Sequence, residues 1–440
     1  MSDQSAQTPS LRNLPRTAII SGVVASLAVV AIAVKTGYPL RYDDERQYLD
    51  IAHSVSSGGG FALDGAASAW RPPAWPLILA YPLAMGVPEP LLLAVPAILI
   101  IGAAVIAASI AVRLTGNLWG AVAGVAVLAY PLNLYTASTL YPQALATLLI
   151  VALFYFAVRV SDMPPGITAV GAGLLASVVA LSVPTLAFTG AVVVAWIAFQ
   201  MRSRFGPAFL TVAAFLTPIA GWAIRNWIVL GSPVLLSTST GSNLLIGNNP
   251  TARASTGVSV DISVHNDAVR GMSELDSDGY LRDRALEWIT ENPVDAGWLF
   301  IRKTLNYFSP YNSPATSGQG DGTVALVAWV AFFVVVALVA VRIVKRADIP
   351  FVGGERLVFA LYVINAPVMA IFFTRARFRQ PLDSMLLIEA TVGLVLLGIA
   401  LSRRTKTDPA NSPDLGVTKA RRVRPPIAPR LCRRSRNQIV

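Results

Sequence analysis

Three consecutive acids, Asp43-Asp44-Glu45, stand between Arg41 and Arg46 with Tyr48 three residues on. Acids at a helix start cap free N–H groups and complement the helix dipole, but three in a row exceed what a cap requires. Beside a membrane face a carboxylate is partly desolvated, which raises its pKa and lets it act as a base near neutral pH. Three cationic groups follow: Arg71 heading Arg71-Pro72-Pro73, Arg225 in Arg225-Asn226-Trp227, and the series Arg375, Arg377 and Arg379. Guanidinium forks match phosphate oxygens; snorkelling anchors are the plain alternative. The stretch from Ser237 to Pro250, with Asn243 and Asn248, is dense in hydroxyls and amides. That suits hydrogen bonding to sugar, and an ordinary surface loop fits it equally well.

These residues are set in a chain of 440, of which 54% are hydrophobic and 13% charged. Soluble proteins carry about 25% charged residues, and the long apolar runs here predict an all-α polytopic membrane protein. The runs are continuous rather than alternating, which excludes a β-barrel. Cys432 is the one cysteine, so no internal disulfide or cysteine-based metal site can form, and His53 and His265 are too few for a histidine cluster. No phosphate-cradling glycine loop and no nucleic-acid motif is present.

A polar tail over residues 1–16 leads into about ten predicted spans: Thr17–Lys35, Leu91–Val112, Leu118–Tyr135, Leu140–Val158, Ile167–Leu181, Leu186–Phe199, Ala208–Val229, Val324–Val341, Leu357–Phe373 and Leu382–Leu401. Ala74–Val87 is too short to cross and is interrupted by Pro76 and Pro82, which predicts an interfacial or re-entrant segment. With that segment on one face, Arg12, Arg16, Arg113, Arg159, Arg202, Arg204, Arg342, Lys345, Arg346, Arg403 and Arg404 all fall on one side, as the positive-inside rule requires. Both termini are therefore expected in the cytoplasm. The first loop (residues 36–75) and the long loop (231–322) are expected outside, the latter with amphipathic helices over Ser273–Glu291 and Pro293–Phe308. Residues 17–402 form one transmembrane domain. The tail 403–440, with 11 Lys/Arg against Asp408 and Asp414, reads as disordered and within reach of anionic lipid. On this topology the three arginine groups lie outside, against the usual bias, beside the acidic loop. A lipid phosphate held near a catalytic acid accounts for both.

The ordered set of motifs resembles the membrane-embedded GT-C glycosyltransferases, in particular bacterial relatives of protein O-mannosyltransferases and aminoarabinose transferases. The likeness covers roughly Thr17–Leu401. It is carried by Asp44-Glu45 with Tyr48 and Ala52, the turn Gly58–Phe61, Arg71-Pro72-Pro73-Ala74-Trp75-Pro76, Tyr141-Pro142-Gln143, Arg225-Asn226 running into Gly241–Pro250, and Arg377-Phe378-Arg379 with Pro381. The resemblance implies a GT-C-like helical bundle in a bacterial plasma membrane. It implies inverting transfer of a monosaccharide from a polyprenyl-phosphate donor to a protein, lipid or glycan hydroxyl on the outer face. It places the base at Asp44, with Asp43 as the alternative register and Glu45 beside them. Donor phosphate would meet Arg71, Arg225, Arg375, Arg377 and Arg379; substrate would meet Tyr48, Gln143, Asn226, Asn243 and Asn248. No cofactor is implied. Gln143 stands where relatives carry an acid and Val183 where they carry Arg or Lys, which leaves metal dependence open and keeps a non-catalytic or transporting protein of related architecture as the alternative.

Overall fold

The computed structural model describes residues 40, 42–255, 257, 260–312 and 322–407. The expected first span, Arg41 and the chain after Thr407 lie outside the described residues. Among the described residues helix dominates, and five helices are long and apolar enough to cross a membrane: Glu89–Thr115, Pro165–Ser182, Phe205–Leu230, Gly322–Val344 and Ala376–Ser402. A sixth crossing results if Leu118–Ala129 and Pro131–Ala137, bent by 58° at Tyr130, count as one span. Of the ten spans expected from hydropathy, Thr17–Lys35 lies outside the described residues, and three others fall on helices shorter or less apolar than these five. Gln143–Val158 has 16 residues, about 24 Å at 1.5 Å per residue. Ala187–Gln200 has 14. The helix at Leu357–Phe373 begins at Gly353 with Glu355 and Arg356 in its first turn.

The first described helix, α1 (Asp43–Ser56), starts where Glu45 folds back on its own N-terminus: Tyr42 N–H donates to Glu45 Oε2 at 3.1 Å. Its buried side chains Glu45, Tyr48, Leu49 and Ala52 recur at helical spacing. The helix packs on α2 (Ala74–Ala84), 11 apolar residues that are too short to span. Between them a hairpin of β1 (Ala62–Leu63) and β2 (Ala66–Ala67) turns at Asp64-Gly65. Both turn residues have positive φ, 52° and 77°, the geometry that selects Asp-Gly in a two-residue hairpin.

The apolar body follows as α3 (Ala94–Thr115), the bent pair α4 (Val122–Ala129) and α5 (Pro131–Ala137), then α6 (Gln143–Val158), α7 (Pro165–Ser182), α8 (Ala187–Gln200) and α9 (Phe205–Leu230). Contacts run α3–α6, α6–α7, α7–α8 and α7–α9. Gly173 is what lets α7 and α9 approach: a Cβ there would sit 2.5 Å from the Thr211 carbonyl oxygen. The long loop carries α10 (Thr240–Gly247), α11 (Ser263–Ala268), α12 (Glu274–Glu291) and α13 (Pro293–Asn306). Three apolar helices close the chain: α14 (Gly322–Val344), α15 (Gly353–Ala370) and α16 (Ala376–Thr407). They are joined by a buried cluster in which Arg342 Nε donates to Glu355 Oε1 at 3.0 Å and lies 3.6 Å from Glu389. A buried cation needs such partners, because desolvation alone would cost several kcal/mol.

Candidate active site

Asp44 is the second residue of α1, and its side chain is 24% exposed, against 93% for Asp43. Successive residues on a helix point about 100° apart; Asp44 is the one turned onto neighbouring elements, while Asp43 stays exposed at the rim of the same cavity. Asp44 Oδ1 accepts from Arg71 Nη2, and Oδ2 accepts from the Tyr141 hydroxyl at 3.0 Å and lies 3.9 Å from Arg377 Nη2. Asp43 meets Arg46 at 3.7 Å on the solvent side. Burial raises the Asp44 pKa, but the charges of Arg71 and Arg377 and the bonds from Tyr141 and Arg71 outweigh it, so the carboxyl is held below its usual value. This reverses the expectation of a base raised toward neutrality: desolvation is present, yet two guanidiniums close to the carboxylate win.

Arg71 is aimed by Gln47, whose Oε1 accepts from its Nε at 2.8 Å and Nη2 at 2.6 Å, and its guanidinium lies 5.3 Å above the Tyr48 ring. Asp44, Gln47 and Tyr48 share one face of α1, and Arg71-Pro72-Pro73 delivers the cation to it. Arg377 stacks 4.8 Å over Tyr141 and 5.1 Å from Phe378, and its buried Nε has no hydrogen-bond partner among the described residues. Arg375 donates to Ser255 O at 3.0 Å, and burial followed by repulsion from Arg377 lowers its pKa. Arg71 and Arg377 oppose the Asp44 carboxylate, and Arg375 and Arg377 share the lining of one cavity with Asp43 and Asp44.

A cavity of about 720 Å³ opens on this cluster. Asp43, Asp44, Tyr141, Gln143, Arg375 and Arg377 line it together with Pro131 and Leu132 of α5 and Val324, Val327, Ala328 and Ala331 of α14. Gln143, 4% exposed, opens α6, and its Oε1 is buried with no hydrogen-bond partner among the described residues. The cavity thus pairs a polar part, in which two arginines stand beside two carboxylates, with an apolar wall supplied by a membrane-length helix. That arrangement accommodates an anion carried on a hydrocarbon chain.

The other expected site residues are engaged elsewhere. Glu45 is 2% exposed and accepts Leu140 N–H at 2.7 Å, docking α1 on the approach to α6. Arg225 donates to Ser68 O and Phe61 O, both at 2.7 Å, and lies 5.0 Å from Trp222, so it holds the backbone of the first loop. Asn226, fully buried, donates to Val234 O at 2.8 Å. Arg379 is fully buried on Asp383, with Nε to Oδ1 at 2.8 Å, and Asp383 also accepts from Tyr362 at 2.9 Å and Tyr130 at 3.1 Å. Asn243 donates to Ser239 O, and Asn248 donates to Leu244 O and Ile371 O. None of Arg225, Asn226, Arg379, Asn243 and Asn248 lines the cavity.

Sequence reasoning gave Gln47 and Lys303 no part and left Tyr141 without a role. Lys303 is 1% exposed, and its three protons meet Gly247 O at 3.0 Å, Asn248 Oδ1 at 3.0 Å and Phe372 O at 2.7 Å. Burial pushes its pKa down to about 8. It pins the end of α10 to α13 and to the turn that precedes Arg375. No local pattern marks such a lysine, since its acceptors are distant backbone carbonyls and one amide. Among the described residues no group of three or more His, Cys, Asp or Glu could hold a metal ion.

No family model matches the chain, and no curated protein matches it. Among solved structures it is similar to ArnT from Cupriavidus metallidurans. Against the crystal structure bound to undecaprenyl phosphate the TM-score is 0.41, with 13% identity over 90% of this chain and 81% of that one. Against the apo state the TM-score is 0.38, with 15% identity over 89% of this chain and 81% of that one.

Proposed function

We propose that the chain is a GT-C-type membrane glycosyltransferase that moves a monosaccharide from a polyprenyl-phosphate donor to a hydroxyl acceptor on the outer face of the bacterial plasma membrane, with inversion. One observation carries the reading: a single cavity presents Asp44 and Arg377 to each other at 3.9 Å and is walled by apolar residues of a membrane-length helix. A sugar linked to a lipid phosphate has matching parts: an anion for Arg375 and Arg377, hydroxyls for Gln143, and a hydrocarbon tail for Val324, Val327 and Ala331.

In the proposed reaction the acceptor oxygen attacks the anomeric carbon. The bond from that carbon to the phosphate oxygen breaks, and its electron pair leaves on the phosphate. The acceptor proton passes to Asp44. A single displacement of this kind inverts the anomeric centre. Asp44 is a weak base because its guanidinium neighbours hold its pKa down. A phosphate is a good leaving group, so late proton loss to a weak base suffices. Arg377, with its unpartnered Nε, and Arg375 meet the charge that develops on the departing phosphate, which is where electrostatic stabilisation accelerates a reaction.

The test is turnover in nanodiscs with polyprenyl-phosphate mannose and polyprenyl-phosphate arabinose, reading sugar release to water or to added envelope extract. Asp44→Asn should lower turnover by about 10²–10⁴-fold with donor binding retained, and Asp43→Asn should leave turnover near wild type. Wild-type turnover in Asp44→Asn, Asp43→Asn and the double variant would remove this loop from the chemistry. Donor binding without sugar release by the wild-type protein would favour a carrier instead.

A further inference from the structure

A second cavity, of about 700 Å³, lies in the long loop and is lined by Trp70, Ser242, Asp261, Ser263, Asn266, Glu274 and Ser277 over a floor that includes Ile246, Val260, Ile262 and Leu281. It differs from the first, where Arg375 and Arg377 stand beside Asp43 and Asp44. Among the described residues no Lys or Arg lines it, and its two charged residues are both acidic, so it repels a phosphate. Trp70 is its one aromatic residue, which leaves it short of the several rings that cage a quaternary ammonium.

The cleft is built rather than incidental. Glu274, the first residue of α12, accepts the Ala69 N–H at 2.8 Å, the Ser68 hydroxyl at 2.7 Å and the Thr238 hydroxyl. These bonds fix the chain immediately before Trp70 and use up much of the Glu274 acceptor capacity. Asp261 accepts the Ser263 N–H at 2.9 Å, and bonds from Ser263 hold its pKa below the usual value, so it remains an acceptor across the physiological range. What faces the space is one indole, hydroxyls, an amide and a carboxylate above an apolar floor. Sugar rings combine apolar C–H faces with fans of hydroxyls, and this lining can serve both.

The cleft and the Asp44 cavity meet along the chain itself. Trp70 lines one, and the next residue, Arg71, bonds Asp44 of the other. We propose that the loop cleft binds a neutral polyhydroxylated saccharide, the glycan that carries the acceptor hydroxyl; its assignment as acceptor rests on the transferase reading above. One polypeptide turn then separates an anion-binding donor cavity from an anion-repelling acceptor cleft, so the two substrates sort by charge.

The test uses full-length protein in phosphatidylcholine nanodiscs, with mannotetraose, arabinotetraose, maltotetraose and chitotetraose as probes, read by saturation-transfer NMR and calorimetry. At least one probe should bind. Trp70→Ala and Asn266→Ala should each weaken it 10-fold or more while polyprenyl-phosphate binding stays unchanged, which also reports an intact fold. Trp70→Phe should retain part of the affinity, and Asp44→Asn should leave glycan affinity within twofold. Binding of none of the four, or wild-type affinity in both Trp70→Ala and Asn266→Ala, overturns the proposal. Displacement of the bound probe by tetramethylammonium or a lysine tetrapeptide does so too, by assigning the cleft to cations. The two readings fail separately: glycan binding with no donor turnover removes the transferase and keeps the saccharide site, whereas Asp44-dependent turnover without glycan binding does the reverse.

Discussion

At Asp44 the balance between desolvation and neighbouring charge sets the pH behaviour. Its pKa is lowered in the fold, so the stability it contributes is present above the ordinary carboxylate value of about 3.9 and is lost as pH falls through the lower, folded value. Turnover should therefore stay flat, as far as Asp44 governs it, from pH 8 down to 5. Arg71→Gln removes the nearer cation and should move the acid limb of the pH–rate profile upward by about 1–3 units; an unmoved limb would mean that another group titrates. The sequence displayed this site only in part. The acidic triplet, Arg71 and Arg377 stood out by composition. The choice between Asp43 and Asp44 did not, because either fits a helix start. The hydroxyl of Tyr141, 97 positions downstream, and the stacked Arg377 mark the inward face.

Among the elements, α1 is held by groups that sequence reading assigned to chemistry. Glu45 receives two backbone N–H groups, from Tyr42 and Leu140. Glu45→Gln turns one acceptor into a donor facing a donor, and should cost about 1–3 kcal/mol in thermal unfolding. Turnover should fall with it, because Asp44 moves with its helix. Lys303→Met strips three buried acceptors of their donor and should cost on the order of 3 kcal/mol, read as a lower Tm of the detergent-solubilised protein; an unchanged Tm would show that the turn before Arg375 holds without it. Helical spans were legible as apolar runs, but their interruptions were not. Hydropathy is nearly continuous through Tyr130-Pro131, yet proline lacks the N–H that would continue the ladder, and the chain bends there by 58°. The hairpin at Asp64-Gly65 was also missed, although Asp-Gly is its sequence signature. Arg225 reads like a ligand-binding cation by its place at a span end and proves to be a backbone clamp on the first loop.

For the molecule as a whole, the arginine distribution predicts that the first loop lies outside. Ser68 is a poor probe position, being 2% exposed and bonded to Glu274, whereas Ala66 in the hairpin is exposed. In a Cys432→Ser background, Ala66→Cys should label in intact cells with a membrane-impermeant maleimide; labelling only after lysis would invert the topology and place the Asp44 cavity on the other face.

The wall that α14 gives the Asp44 cavity has a kinetic meaning. Only 11% of the most apolar 18-residue stretch of this helix is buried within the protein, and Val324 and Val327 line the cavity while remaining 51% and 48% exposed. A hydrocarbon chain can then arrive sideways from the bilayer instead of from water. For such a substrate the relevant concentration is its share of the lipids. In nanodiscs of fixed donor content per disc, adding more discs should leave the rate per enzyme unchanged. Diluting the donor with neutral lipid inside each disc should lower it, following saturation in mole fraction.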